Sequence, residues 1–149
     1  MTTGNNTKKG WFKPKNPQKY RGNPNNIVYR SSWELRCMKS FDTQENVIWW
    51  SSEELAIPYH SPVDNRMHRY FPDFVISVRK SDGTRKTYMI EVKPEYQTKA
   101  PTQKRRTKKY IQEAATYVTN QFKWKAADKF CQDNDWEFKI LTEKELGIK

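Results

Sequence analysis

The feature that most constrains this chain is Phe71-Pro72-Asp73-Phe74 followed, after a Ser81-Asp82-Gly83 turn, by Met89-Ile90-Glu91-Val92-Lys93. It sets an Asp and then a Glu-x-Lys on two successive strands. Side chains in a strand alternate faces with period two, so residues i and i+2 point the same way. In the second strand Tyr88, Ile90 and Val92 form one apolar row, which leaves Met89, Glu91 and Lys93 on the other face. Loop length decides what stands opposite them. A two-residue loop, Asp82-Gly83, pairs Asp73 with Val92 on the wrong face. A three-residue loop, with Gly83 left-handed as a G1 bulge, pairs Asp73 with Glu91 and holds their Cβ atoms roughly 5 Å apart. The second register is the one expected.

Two carboxylates that close repel each other unless a positive charge compensates. Oxygen ligands of this kind suit Mg²⁺ or Mn²⁺, which retain several waters and accept phosphate oxygens as further ligands. Asp73 and Glu91 are the expected ligands, with the carbonyl of Val92 as another. Lys93 is placed to orient an attacking water or to stabilise the charged transition state of phosphodiester hydrolysis. Either half of the motif arises readily by chance, since 30% of the residues are charged and Pro-Asp is common at the start of strands. On adjacent strands joined by a defined turn, the two halves together point to chemistry.

The same segments resemble the P-D…[DE]-x-K nuclease superfamily. Tyr29-Arg30-Ser31-Ser32-Trp33-Glu34, Arg69-Tyr70-Phe71-Pro72-Asp73-Phe74, Ile90-Glu91-Val92-Lys93-Pro94 and Trp136-Glu137-Phe138-Lys139-Ile140-Leu141-Thr142-Glu143 look like the head-completion nucleases of contractile-tailed bacteriophages and the TnsA-like transposon-end endonucleases. The resemblance spans roughly residues 27–146. It implies a restriction-endonuclease-like α/β core, a central mixed sheet flanked by helices, and a metal-dependent DNA endonuclease acting in head completion and head-tail joining. It also implies that Glu34 joins the catalytic and metal-binding set of Asp73, Glu91 and Lys93. A local role competes for that carboxylate: Ser31-x-x-Glu34 is a capping box, in which Glu34 reaches back to the Ser31 amide. Three other functions fit the same residues: a non-catalytic DNA-binding or structural neck protein, a transposon-end nuclease, and a resolvase of branched DNA.

At 149 residues the chain is expected to form one domain. No apolar run approaches the roughly 20 residues that span a bilayer, and the polar N-terminus lacks the h-region of a secretory signal. The expectation is a soluble intracellular protein without a membrane partner, and the resemblance implies a place in the virion or in the host cytoplasm during phage assembly. Cys37 and Cys131 have no metal-ligand spacing and read as buried free thiols. With 28 Lys and Arg against 17 acids the net charge is +11, which favours a polyanion. Double-stranded DNA is the expected partner, and the resemblance implies phage portal or neck proteins as further ones.

Residues 1–26 read as a flexible basic arm that lacks the apolar content to fold alone, and residues 27–149 as the nuclease domain. A helix is expected from about Ser32 to Phe41, burying Trp33, Cys37 and Phe41. Strands follow at Val47-Ile48-Trp49-Trp50 and Leu55-Ala56-Ile57-Pro58-Tyr59, then a loop over 60–68 in which His60 and His68 receive no role. Pro94 and Pro101 exclude helix between them. Helix is expected from Thr102 to Asp133, with a break near Asn120 allowed and Ile111, Ala115, Val118, Phe122, Ala126 and Phe130 facing the core. The basic run Lys104, Arg105, Arg106, Lys108 and Lys109 at its N-terminal turn forms a phosphate track, and Lys123 and Lys125 lie toward the substrate. Trp136 to Leu141 alternates as a last strand, with Thr142-x-x-Glu145 capping a terminal turn.

Overall fold

A computed structural model describes residues 9–102 and 106–148. In chain order they form β1 (Gly10–Trp11), β2 (Val28–Tyr29), α1 (Ser32–Thr43), β3 (Val47–Ser52), β4 (Ile57–Ser61), β5 (Arg66–Tyr70), β6 (Phe74–Arg79), β7 (Arg85–Val92), α2 (Lys108–Asp133), β8 (Glu137–Leu141) and α3 (Glu143–Leu146), with short 3-10 turns at Pro17–Lys19 and Glu95–Thr98. The centre is a four-stranded sheet in the order β3-β6-β7-β8. The β3–β6 and β6–β7 pairs are antiparallel and the β7–β8 pair is parallel, so the sheet is mixed, as expected.

The β6–β7 hairpin has the three-residue loop. Lys80 N donates to Thr84 O at 2.8 Å and Gly83 N to Lys80 O at 2.9 Å, while Gly83 sits at φ 87°. That left-handed conformation costs glycine little and most other residues much more. Phe74 lies opposite Ile90, and the register continued by one residue sets Asp73 opposite Glu91.

Alternation then divides the core. On one face Phe74, Ile76, Ile90 and Val92 pack with Trp33, Cys37, Met38 and Phe41 of α1 around the fully buried Trp50. On the other, Val75 and Met89 pack with Trp124, Ala127 and Cys131 of α2 and with Ile57, Tyr59 and Tyr70. Both cysteines are free and buried.

Several expectations are corrected. Residues 10–26 do not form a loose arm: β1 pairs with β2, Tyr20 is buried against Trp50 with ring centroids 4.8 Å apart, and Phe12 packs on the same core. The few aromatics of this segment suffice because the folded body supplies the rest of the apolar surface. Asp42, 1% exposed, anchors it by accepting from Lys15 N at 2.8 Å and Asn16 N at 3.0 Å. Residues 1–8 lie outside the described residues.

Residues 60–68 belong to a second hairpin, in which Tyr59 pairs with His68 and Ile57 with Tyr70. Within it His60 meets Asn65 and His68 meets Asp64. Between Pro94 and Pro101 one 3-10 turn forms. Helix α2 begins at Lys108, capped by the Thr107 hydroxyl, and runs unbroken through Asn120. Its buried stripe is Asn120, Trp124, Ala127 and Cys131, at i, i+4, i+7 and i+11. Ile111, Val118 and Phe122 are exposed instead. Apolar residues surround this helix on every side, so periodicity alone did not select the stripe that meets the sheet.

Asp42→Ala leaves two backbone amides without their acceptor. It is expected to cost about 2–3 kcal/mol and to open Lys13, Lys15 and Lys19 to trypsin before the rest of the chain. Thermal melting and timed proteolysis measure both, and Asp42→Asn is expected to lose less because its carbonyl still accepts.

Candidate active site

Pro72 lies opposite Val92 when the β6–β7 register is continued past Phe74 and Ile90. A proline has no N–H, so β6 offers the Val92 carbonyl no ladder donor at that point. The Val92 amide, in turn, donates to the Asp73 carboxylate at 2.7 Å. The end of the hairpin thus orients Asp73 and leaves a carbonyl edge beside it. Lys93 N donates to Leu141 O at 3.0 Å, so β8 fixes the residue that follows.

Glu91 is 6% exposed and accepts from the Tyr70 hydroxyl at 2.6 Å. Its other oxygen stands 3.7 Å from Lys93 Nζ. Glu34 arrives from the first turn of α1, at the opposite side of the sheet edge. Ser31 Oγ caps the helix by accepting from Glu34 N at 3.1 Å, whereas the Glu34 carboxylate accepts from Arg30 N at 3.2 Å rather than from Ser31. The full capping box does not form: one Glu34 oxygen ties the chain entering the helix, and the carboxylate lies close enough to influence Asp73.

Burial pushes the Asp73 carboxyl well above the usual carboxylate range, and the negative charges of Glu91 and Glu34 push it further, against the Val92 amide and Lys93. Burial raises Glu91 as well, opposed by Lys93, Tyr70 and Lys123. Burial raises Glu34, with Glu53 adding to the shift and the Arg30 amide opposing it. Three acids thus share a region with too little positive charge to ionise all of them freely. Among the described residues no three acidic, histidine or cysteine side chains converge tightly enough to cage an ion. Mg²⁺ needs no such cage, since one or two carboxylates with waters and substrate phosphate complete its shell. Asp73, Glu91 and the Val92 carbonyl fit that donor set.

Lys123, on α2, lies within electrostatic reach of Glu91 and Asp73. Its ammonium lies 5.7 Å from the centre of the Tyr70 ring and 6.0 Å from that of Tyr59. Burial and then Lys93 lower its pKa, while Glu91 and Asp73 raise it. Lys125 is exposed on the outer surface of α2 and makes no contact with the acids among the described residues. Arg106 precedes the helix cap, and Lys108 and Lys109 are exposed in the first turn, with Lys109 3.9 Å from Glu113. Lys104 and Arg105 lie outside the described residues.

Two contributors escaped the sequence reading. The sequence gives Tyr70 no role, because its reach to Glu91 depends on the β4–β5 hairpin, whose residues 60–68 carry the polar pattern of a loop. Glu53 adopts φ 54°, donates its amide to Asp73 O at 3.2 Å and pairs with Arg30 Nε at 3.0 Å. A left-handed non-glycine residue stores backbone strain, and no residue pattern announces it.

A family model described as TnsA-like endonuclease N terminal matches residues 44–143, which include the acid-bearing hairpin and Lys123. The chain is 34% identical over 148 residues to a head completion nuclease of Enterobacteria phage T4, a match covering 94% of this chain and 96% of that protein. With a central mixed sheet, flanking helices and these two matches, the chain has the restriction-endonuclease-like α/β fold and belongs to the TnsA-like endonuclease family.

Proposed function

We propose that this protein is a metal-dependent endonuclease that hydrolyses phosphodiester bonds of double-stranded DNA during phage head completion, before heads and tails join. The observation that carries the reading is the placement of Asp73 and Glu91 side by side on one sheet face, with Lys93 beside Glu91 and Glu34 within electrostatic reach. The head-completion context rests on the phage T4 relative, and a place in the virion or host cytoplasm, with portal or neck proteins as partners, follows from that context.

Asp73, Glu91 and the Val92 carbonyl would hold Mg²⁺ or Mn²⁺, with Glu34 acting on the site through its charge. Such an ion, when bound, would neutralise the crowded acids and polarise a phosphoryl oxygen. The Tyr70 hydroxyl keeps Glu91 oriented, and the Val92 amide does the same for Asp73. Lys93, released from its contact with Glu91, directs its charge to the attacking water and the phosphate. Lys123 meets a phosphate oxygen from the α2 side, and the surplus of basic residues holds the duplex through its backbone.

Asp73→Asn is expected to lower Mg²⁺-dependent cleavage of plasmid or linear duplex by at least about 100-fold. A phage carrying it should fill heads that fail to join tails. Undiminished cleavage would remove the nuclease assignment, and normal infectious yield would favour a structural neck protein.

Lys93→Ala should lower kcat by about 100-fold or more while metal affinity changes little, because an ammonium is not a ligand and acts on the transition state. Calorimetric metal titration beside single-turnover cleavage separates the two. Equal losses in both would make Lys93 a structural residue.

The crowding also has a pH signature. A carboxyl whose folded pKa is raised stabilises the fold below its unfolded pKa, and that contribution is lost as pH rises through the folded value. In EDTA, wild type and Asp73→Asn should therefore melt alike below about pH 4, and the variant should melt equal or higher at neutral pH. Mg²⁺ should raise the melting temperature of wild type more than that of the variant.

A further inference from the structure

Away from the acid cluster, on the α1 side of the sheet, a cleft of about 550 Å³ opens between the β1–β2 pair and α1. Its walls include Trp11, Lys13, Lys15, Tyr29, Leu35 and Lys39. It starts at Leu35, one residue beyond Glu34, and follows α1 as far as Thr43.

Trp11 is 76% exposed, although both its neighbours are anchored. Phe12 N donates to Ile27 O at 2.8 Å, and the Phe12 ring meets Trp50 edge-on with centroids 5.9 Å apart. Gly10 pairs with Tyr29, and a Cβ on Gly10 would overlap the Tyr29 hydroxyl. A close-packed glycine and a half-buried phenylalanine thus hold a large indole in water. An indole exposed to this degree forgoes most of the stabilisation that its burial would bring.

The charge around it is one-sided. Lys13, Lys15 and Lys39 form no ion pair among the described residues. The one acid in the lining, Asp42, has its carboxylate occupied by the amides of Lys15 and Asn16. A fixed aromatic platform flanked by unpaired ammonium groups suits a nucleic acid strand, with bases stacking on the ring and phosphates meeting the lysines. Stacking requires an open base face, which a duplex keeps covered. The cleft also has the size of a small-molecule site rather than of a duplex groove.

We infer that this cleft binds an unpaired DNA strand, with a base on Trp11 and phosphates on Lys13, Lys15 and Lys39. The preferred substrate is then a duplex end bearing a single-stranded extension, which passes Glu34 and runs along α1. The substrate preference rests on the nuclease reading above, whereas the strand-binding site does not.

The experiment uses the full chain in EDTA and a labelled single strand of about 10 nucleotides, beside a blunt duplex, read by fluorescence anisotropy. Trp11→Ala should weaken single-strand binding at least about 5-fold and leave blunt-duplex binding unchanged. Trp11→Phe should keep most of the affinity, and equal melting temperatures of the three proteins show that the fold is intact. Replacing Lys13, Lys15 and Lys39 by Gln should lower the salt dependence of single-strand binding by about 0.7 in log–log slope per lost contact. Wild-type affinity in Trp11→Ala would overturn the site. In Mg²⁺, wild type should cut an extended end faster than a blunt one, and Trp11→Ala should cut both at the blunt rate. Equal cutting by wild type would overturn the substrate preference alone. Absence of any cutting would instead fault the nuclease reading, and the binding measurement in EDTA would still decide the site.

Discussion

The candidate chemistry depends on the register of one hairpin. Side chains on a strand alternate, so a slip of a single residue between β6 and β7 would send Asp73 to the α1 face and leave Glu91 without its partner. Three interactions prevent the slip: the left-handed Gly83 that closes a three-residue loop, the two apolar rows that must enter different cores, and the Val92 amide that takes the Asp73 carboxylate in place of a ladder bond. Of these, the loop is local and the other two require the finished sheet. Turn chemistry proposes the register, and burial on both faces holds it.

Around that register, each acid is held by a donor that does not cancel its charge. Asp73 has a backbone amide, Glu91 a phenol and Glu34 a backbone amide. Lys93 is the nearest full positive charge to Glu91, at a separation too long for a hydrogen bond. Such a site is oriented yet under-compensated, an arrangement that costs stability in the absence of a cation and favours the binding of one. Arg30 compensates Glu34 only in part, since its guanidinium is hydrogen-bonded to Glu53.

How much of this was legible follows from how local each determinant is. The hairpin, the face of Glu91, the buried side of α1 and the free thiols were readable because turn length and period-two or i, i+4 spacing are properties of neighbouring residues, whereas the mixed sheet, which needs the distant β7–β8 pair, came from the family resemblance. The packing of residues 10–26 was not, since Asp42 and Trp50, which secure it, lie far along the chain. Nor was the buried stripe of α2, a helix apolar on several sides whose choice of face belongs to the sheet it meets. Tyr70 and Glu53 were hidden for the same reason: one reaches its partner through a hairpin masked by polar residues, the other through a backbone conformation disfavoured for its side chain.

The parallel pairing of β7 with β8 carries a consequence for synthesis. β7 holds Glu91 and leads into Lys93, yet its second neighbour, Glu137–Leu141, leaves the ribosome some 45 residues later, after α2. Until then one edge of β7 is bare, Met89 lacks the cover of Cys131, and the Lys93 amide lacks Leu141. The nascent chain can close the β6–β7 hairpin early, but it cannot build the complete sheet. A DNA-cutting protein made this way cannot complete the sheet that carries Glu91 until β8 has been synthesised.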